Sequence, residues 1–174
     1  MRKVSLYIAA SLDGFIARRD GSLDWLPQDP QEDFGYKNFI AGVDTLVMGR
    51  KTYEQVVTLG AWTNPGQRCY VVTRTPGIQR AKHAKFVGGD VVAFVRELRA
   101  LPGKNIWLVG GGEIVRPCLE AGVVDEIILS IPPVLLGDGV PLFLRRSVPT
   151  ALTLRNCHSF PGGLVQLAYD VQAA

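Results

Sequence analysis

Asn105-Ile106-Trp107-Leu108-Val109-Gly110-Gly111-Gly112-Glu113 passes from a short apolar segment through three glycines into a segment of helical character. An almost wholly apolar run of this length reads as a strand covered on both faces. Three glycines at its exit let the backbone approach a ligand closely, and the N–H groups of the following helix start suit a phosphate. The run matches neither common glycine signature. Val115 stands where G-x-G-x-x-G needs its last glycine, and no G-x-x-x-x-G-K follows a strand. A strand-to-helix turn can also be glycine-rich merely to pack tightly, so the turn alone does not decide between the two uses.

Outward from this turn the same alternation repeats. Upstream, residues 3–10, 45–48, 69–73 and 85–87 read as strands, with helical stretches at 32–41 and 50–57. Arg74-Thr75-Pro76-Gly77 ends the third of these strands. Asp90 is placed to cap a helix over 91–101, whose Val92, Phe94, Val95, Leu98 and Leu101 recur at helical spacing before Pro102-Gly103. Downstream, a helix over 113–121 ends at Gly122, and 125–131 is again a strand. The tail differs, because 151–160 and 164–171 flank Pro161-Gly162-Gly163 as strands flank a hairpin turn. The expectation is one α/β domain over residues 1–174, with a mostly parallel central sheet and an antiparallel C-terminal hairpin.

Composition narrows the function classes. The chain has 174 residues, 47% hydrophobic and 20% charged, enough to bury one core. Its net charge of +3 comes from 19 basic and 16 acidic residues scattered along it, without the dense basic run that a nucleic acid requires. The apolar start is broken early by Ser11, Asp13, Arg18 and Arg19, so it reads as a strand and not a signal peptide, and no apolar stretch suggests a membrane partner. Cys69, Cys118 and Cys157 are odd in number and far apart, which predicts neither a disulfide framework nor a metal site. A cytoplasmic protein is expected.

Two further strand exits carry polar groups. Met48-Gly49-Arg50-Lys51-Thr52-Tyr53 puts two cations and a hydroxyl at a helix start, and Thr73-Arg74 follows the next strand. Each alone reads as a solvated helix start. In an open α/β sheet, however, strand exits share one crevice, and three such exits converging favour a phosphate-bearing ligand.

With these motifs in view, residues 47–54, 71–76, 107–115 and 124–143 resemble the dihydrofolate reductase-like superfamily, in particular the C-terminal reductase domain of the bifunctional riboflavin-biosynthesis deaminase-reductase. The resemblance implies a three-layer dihydrofolate reductase-like fold and NADPH as cofactor. It implies that Gly49, Arg50, Lys51, Thr52, Thr73 and Arg74 hold the adenosine and 2′-phosphate, and that Val109, Gly110, Gly111, Gly112, Glu113 and Ile114 hold the pyrophosphate. Ala9-Ala10-Ser11-Leu12-Asp13-Gly14 is similar to the family's Ala-x-Ser-Leu-Asp-Gly, which lays Ala9 and Ala10 along the nicotinamide. Leu135-Leu136-Gly137-Asp138-Gly139 and Pro141-Leu142-Phe143 also resemble that domain. In the riboflavin pattern a lysine stands two residues before Ala9, where this chain has Tyr7, and the zinc deaminase half has no counterpart here.

The substrate expected from the resemblance is a small pterin-like or aminopyrimidine-like heterocycle. Dihydrofolate reductases place one carboxylate between the first strand and Met-Gly-Arg. Asp29, in Leu26-Pro27-Gln28-Asp29, and Asp33, reached by gapless counting back from Met48, compete for that place, with Asp33 preferred. Either is equally readable as a solvated carboxylate in a first helical turn. Ser130 matches a strand hydroxyl beside that carboxylate. Asp13 and Trp25 are the substrate-side candidates, Trp25 also being readable as a core aromatic. Residues 12–26, with a turn at Asp20-Gly21, would form a mobile cover. A homodimer is expected because the related domains pair and because Ile127, Ile128, Leu135, Leu136 and Leu142 enrich the C-terminal half in apolar side chains. A nucleotide-binding protein without turnover and a true dihydrofolate reductase are the alternatives.

Overall fold

A central eight-stranded sheet organises the chain, whose computed structural model describes residues 1–29, 31–58, 66–75, 83–145 and 147–172. The parallel part uses β1 (Val4–Ala9), β3 (Val43–Gly49), β4 (Arg68–Val72), β5 (Lys85–Val87), β6 (Asn105–Gly110) and β7 (Glu126–Ile131). Beyond β7 lie β10 (Val165–Val171) and β9 (Leu152–Ser159), joined by a single 3₁₀ turn at Pro161–Gly163 and antiparallel to each other. The spatial order is β5-β4-β3-β6-β1-β7-β10-β9, with β10 also antiparallel to β7. A mostly parallel sheet with an antiparallel C-terminal pair is therefore what the alternating pattern anticipated.

Side chains alternate across the sheet and build two apolar layers. Val4, Leu6, Val47, Ile106, Leu108 and Ile127 pack on one side against α3 (Val91–Ala100) and α4 (Gly112–Glu120), through Val95, Leu98, Val115 and Cys118. Leu46, Met48, Cys69 and Val71 face the other side, where Phe39 and Ile40 of α1 (Tyr36–Ala41) and Tyr53 of α2 (Arg50–Thr58) cover them. Each fully buried aliphatic side chain contributes roughly 1.5–3 kcal/mol. The three layers follow directly from the two-sided burial. Asp90 caps α3 as expected, its carboxylate accepting the Val92 N–H at 2.8 Å, an interaction worth about 1 kcal/mol. Burial pushes the thiols of Cys69 and Cys118 up to about 12, and all three cysteines are free.

Three local expectations change. The helix foreseen from residue 32 begins only at Tyr36, because Phe34 (φ 50°) and Gly35 (φ 79°) adopt left-handed backbone that no helix can continue through. Two short strands, β2 (Phe15–Ala17) and β8 (Val140–Pro141), form a separate antiparallel pair that no periodicity signals. Pro76 and Gly77, expected to end the third strand, lie outside the described residues. Among the apolar residues thought to favour a dimer, Ile127 and Leu142 are buried within the chain, Ile127 under the helical layer. Leu135, from the same group, is exposed, as are Leu152 and Leu154.

Candidate active site

The exits of β4, β3 and β6 are side by side, since Val72 pairs with Gly49 and Met48 with Gly110. Thr73-Arg74, Gly49-Arg50-Lys51-Thr52 and Gly110-Gly111-Gly112 are thus brought to one edge of the sheet. A methyl group at Gly49 would sit 3.8 Å from the Gly110 carbonyl oxygen and 3.8 Å from Ile114. One at Gly111 would sit 3.7 Å from the Thr52 hydroxyl and 3.4 Å from Ile16 of β2. The two turns therefore form one narrow cradle, and an added Cβ at either would occupy it. Gly110 has φ 124°, a conformation side-chain-bearing residues rarely adopt, and its peptide bond to Gly111 is cis. Gly112 is a glycine for a different reason: its Cβ would meet the carbonyl oxygens of Pro141 and Leu142 at 2.9 Å. Within this turn, tight packing explains Gly112, while ligand approach remains available to Gly111.

Donors and cations surround the cradle. Ile114 and Val115 direct their N–H groups to the Gly111 carbonyl, and the N–H groups of Gly112 and Glu113, first in α4, have no partner within the helix. No acidic residue occupies the first turn of α2. Arg50 is half-exposed, with a surface pairing to Glu54 at 3.4 Å, a contact worth a few tenths of a kcal/mol. Lys51 and Arg74 are exposed. Thr73 is buried, its hydroxyl accepting the Thr75 N–H at 3.3 Å. This donor set suits a dinucleotide phosphate in charge and hydrogen bonding.

The two other resembling motifs dock on one another. Asp13 accepts the Ser11 hydroxyl at 2.6 Å, the Leu136 N–H at 3.1 Å and the Gly137 N–H at 2.7 Å. The Ser11 hydrogen bond, with the two backbone donors, holds the Asp13 carboxyl below its ordinary value. The Asp13 carboxylate is therefore used as a clamp between residues 11–14 and 136–137. Arg19 pairs with Asp138, Arg18 with Asp24 at 2.6 Å, and the Gln55 amide donates to the Gly21 carbonyl. The segment foreseen as a cover is tied at both flanks in this conformation.

On the substrate side, Ala9 and Ser130 are paired neighbours on β1 and β7, and the Ala10 N–H donates to the Ser130 carbonyl at 3.0 Å. Tyr7, on the same face of β1, stacks on Phe39 with ring centroids 4.3 Å apart and meets Trp107 edge-on. Its hydroxyl donates to the Phe34 carbonyl at 3.0 Å. Burial raises the Tyr7 phenol above its usual range, so it stays protonated. Asp33 spends both oxygens on the start of α1, accepting from Lys37 N–H at 3.0 Å and Gly35 N–H at 3.1 Å. Those two backbone hydrogen bonds lower its pKa, which keeps it ionised at neutral pH. Asp29 is exposed and accepts the Gln31 N–H at 2.9 Å. The Trp25 indole N–H is buried with no hydrogen-bond partner among the described residues. His83 and His158 are exposed. Among the described residues no cluster of potential metal ligands is present, and no helix is long and apolar enough to cross a membrane.

Sequence reading passed over two parts of this site. Ile16 comes from a strand too short to show a period. Gln166 belongs to no motif, and only the β7–β10 register sets it opposite Ser130.

Comparison with known proteins agrees with this geometry. Residues 2–166 match the RibD C-terminal domain. The chain is 41% identical over 170 residues to YwjB of Bacillus subtilis (strain 168), covering 97% of each. A crystal structure from Shewanella sp. PV-4, of a protein provisionally assigned to riboflavin biosynthesis, superposes with a TM-score of 0.86 at 28% identity, over 99% of this chain and 100% of that one. Dihydrofolate reductase of Enterococcus faecalis, complexed with NADP(H), shares the fold with a TM-score of 0.68 at 16% identity, over 98% of this chain and 97% of that one. The chain belongs to the RibD C-terminal domain family and has the dihydrofolate reductase-like fold.

Proposed function

We propose that this member of the RibD C-terminal domain family is an NADPH-dependent reductase of a small pterin-like or aminopyrimidine-like heterocycle, allied to the 5-amino-6-(5-phosphoribosylamino)uracil reductases of riboflavin biosynthesis. The observation that carries this reading is the cradle formed by two strand exits, where Gly111 and Thr52 face each other, with the Thr73-Arg74 exit beside them. Arg50, Lys51, Thr52, Thr73 and Arg74, with Gly49, would hold the adenosine 2′-phosphate end. Val109 to Ile114, through Gly110, Gly111, Gly112 and Glu113, would line the pyrophosphate with backbone and helix-start donors. Ala9 and Ala10 would carry the nicotinamide between the cradle and Ser130. When bound, NADPH supplies the hydride for an electron-poor C=N or C=O carbon.

The chain's part is orientation, water exclusion and polar contact with the ring. Ser130 offers a buried hydroxyl, and Trp25 an indole N–H that a ligand acceptor would satisfy. Asp13 contributes by holding the loop at 136–137 against the first strand's exit. Asp29 and Asp33 would be the carboxylates on this side. Since Asp33 is ionised, its contribution is charge, and the proton comes from water. Tyr7 places an engaged hydroxyl where the riboflavin-type pattern has a lysine, which favours a ring without a ribose phosphate reaching that point. Leu135, Leu152 and Leu154 give a homodimer an exposed apolar surface on the C-terminal half, and the reduced, free cysteines suit the cytoplasm.

One observation favours a second reading, a protein that binds NADPH without turnover: the carboxylate preferred as catalytic is committed to a helix start. The test is NADPH consumption at 340 nm against a panel of pterins and aminouracils, alongside direct NADPH titration. Consumption with any ring supports the reductase. Tight NADPH binding with no consumption across the panel supports the second reading, and no NADPH binding refutes both.

A further inference from the structure

Gln166 lies on β10 directly opposite Ser130 of β7. Its side-chain amide nitrogen donates to the Ser130 hydroxyl oxygen at 3.0 Å and to the Phe34 carbonyl at 3.0 Å. The Phe34 carbonyl can only accept, so it fixes which way the amide faces. Tyr7 donates to that same carbonyl. The left-handed turn at Phe34 and Gly35, which delays the start of α1, is what brings this oxygen between β1 and β10. A serine oxygen that accepts from an amide keeps its own proton to give. Ser130 is only 6% exposed, and its hydroxyl donates to no other group among the described residues.

We infer that Gln166 is a positioning residue that fixes the hydrogen-bond polarity of Ser130, so that β7 presents a donor, and not an acceptor, to the ring bound beside it. The inference rests on the reductase reading for the identity of that ring and extends it to the ring's edge. The exocyclic ring group facing Ser130 must be a carbonyl oxygen. An amino group there could use only the second lone pair of the serine oxygen and would leave the buried Ser130 proton without an acceptor, and an unpaired buried polar group is what gives a site its strongest discrimination. Without Gln166 the serine hydroxyl rotates freely and accepts as readily as it donates.

The experiment is calorimetric titration of the full chain saturated with NADPH, using 5,6-diaminouracil and 2,4,5,6-tetraaminopyrimidine, which differ in carrying carbonyl or amino groups at the same ring positions. Wild type should prefer the uracil. Gln166→Met keeps the side-chain length and removes both donors, and it should reduce that preference roughly five- to tenfold. Ser130→Ala should do the same, Ser130→Thr should retain the preference, and the Gln166→Met/Ser130→Ala pair should lose no more than either single change. NADPH affinity should be unchanged throughout. If Gln166→Met weakens both rings and NADPH alike, or if the two changes add, Gln166 only holds the Phe34 turn and the inference is wrong. If Gln166→Met does not fold, the comparison of Ser130→Ala with Ser130→Thr decides the point, equal ring preference in the two overturning it. Binding of a ring without any dependence on Gln166 overturns this inference alone. Failure of both rings to bind, with no NADPH consumption, overturns the reductase reading with it.

Discussion

Adjacent glycines in the β6–α4 turn should respond oppositely to the same substitution. At Gly111 the backbone has φ −81°, ordinary for any residue, and a new methyl would meet Ile16 at 3.4 Å and the Thr52 hydroxyl at 3.7 Å, both normal contacts. Gly111→Ala should therefore leave the ligand-free melting temperature within about 2 °C of wild type. At Gly112 the methyl meets two carbonyl oxygens at 2.9 Å, and neither can move without shifting β8 and the residue after it. Overpacking of this kind costs about 2 kcal/mol, or about 4–8 °C for a chain of this size. NADPH at about 100 times its dissociation constant should stabilise wild type by about 2.7 kcal/mol. A methyl in the cradle that weakens binding about thirtyfold would cut this to about 0.9 kcal/mol. Differential scanning fluorimetry with and without NADPH reads both effects. A Gly111→Ala protein that melts early yet keeps the full NADPH-induced rise would refute the cradle assignment.

Other consequences are equally direct. Replacing Arg50 and Arg74 together by Ala should weaken NADPH roughly tenfold or more and NADH little, read by fluorescence titration; equal loss for both cofactors would remove these residues from the 2′-phosphate. Asp33→Ala should lower the melting temperature slightly, through the lost hydrogen bonds from the Gly35 and Lys37 N–H groups, and leave the pH dependence of turnover unmoved, since the carboxylate is already ionised; loss of an acidic limb in the kcat profile would restore it as a proton donor. Glu126 is buried, which alone would raise its pKa, but hydrogen bonds from Ser5 at 2.6 Å and Arg155 at 2.7 Å outweigh burial and lower it. Its folded pKa lies below the unfolded one, so its stabilisation is complete above the usual glutamate range and disappears as pH falls through the depressed value. Arg155→Met should thus cost about 1 kcal/mol at pH 7, a cost that shrinks in urea melts as pH falls through the depressed Glu126 value; a cost that stays constant down to the acid limit of folding would place the role of Arg155 elsewhere.

The layered fold was legible because burial on two sides leaves a periodic trace. Val47, Ile106 and Leu108 turn to one helical layer while Leu46, Met48 and Trp107 turn to the other. The strand exits were legible for the same reason, since they follow where each apolar run stops. Interactions between distant short segments left no such trace. Nothing in Ser11-Leu12-Asp13-Gly14 says that Asp13 holds Gly137, and nothing around Phe15 announces pairing with Pro141. The Asp33 reading shows a second limit. A carboxylate spaced to reach a ring is also spaced to cap the next helix, and backbone donors two and four residues away took it. Gln166 was invisible as chemistry because its meaning depends on two partners 36 and 132 positions earlier in the chain.

The position of β1 within the sheet has a consequence for assembly. It lies between β6 and β7, with Val4 beside Ile106 and Leu6 beside Leu108 on one edge and Ile127 on the other. A ribosome that has released only the first hundred residues holds β1 with neither neighbour. Its apolar Val4 and Leu6 then have no strand to pair with, while β3 and β4 can already join each other. Closure of the sheet's centre must wait for loops of about a hundred residues, an entropic delay that slows folding and prolongs exposure of an unpaired edge. Moving the chain ends to the turn between α3 and β6 and joining the present ends through a linker would place β1 after both of its partners. Such a permuted chain should reach the same sheet with less aggregation during refolding.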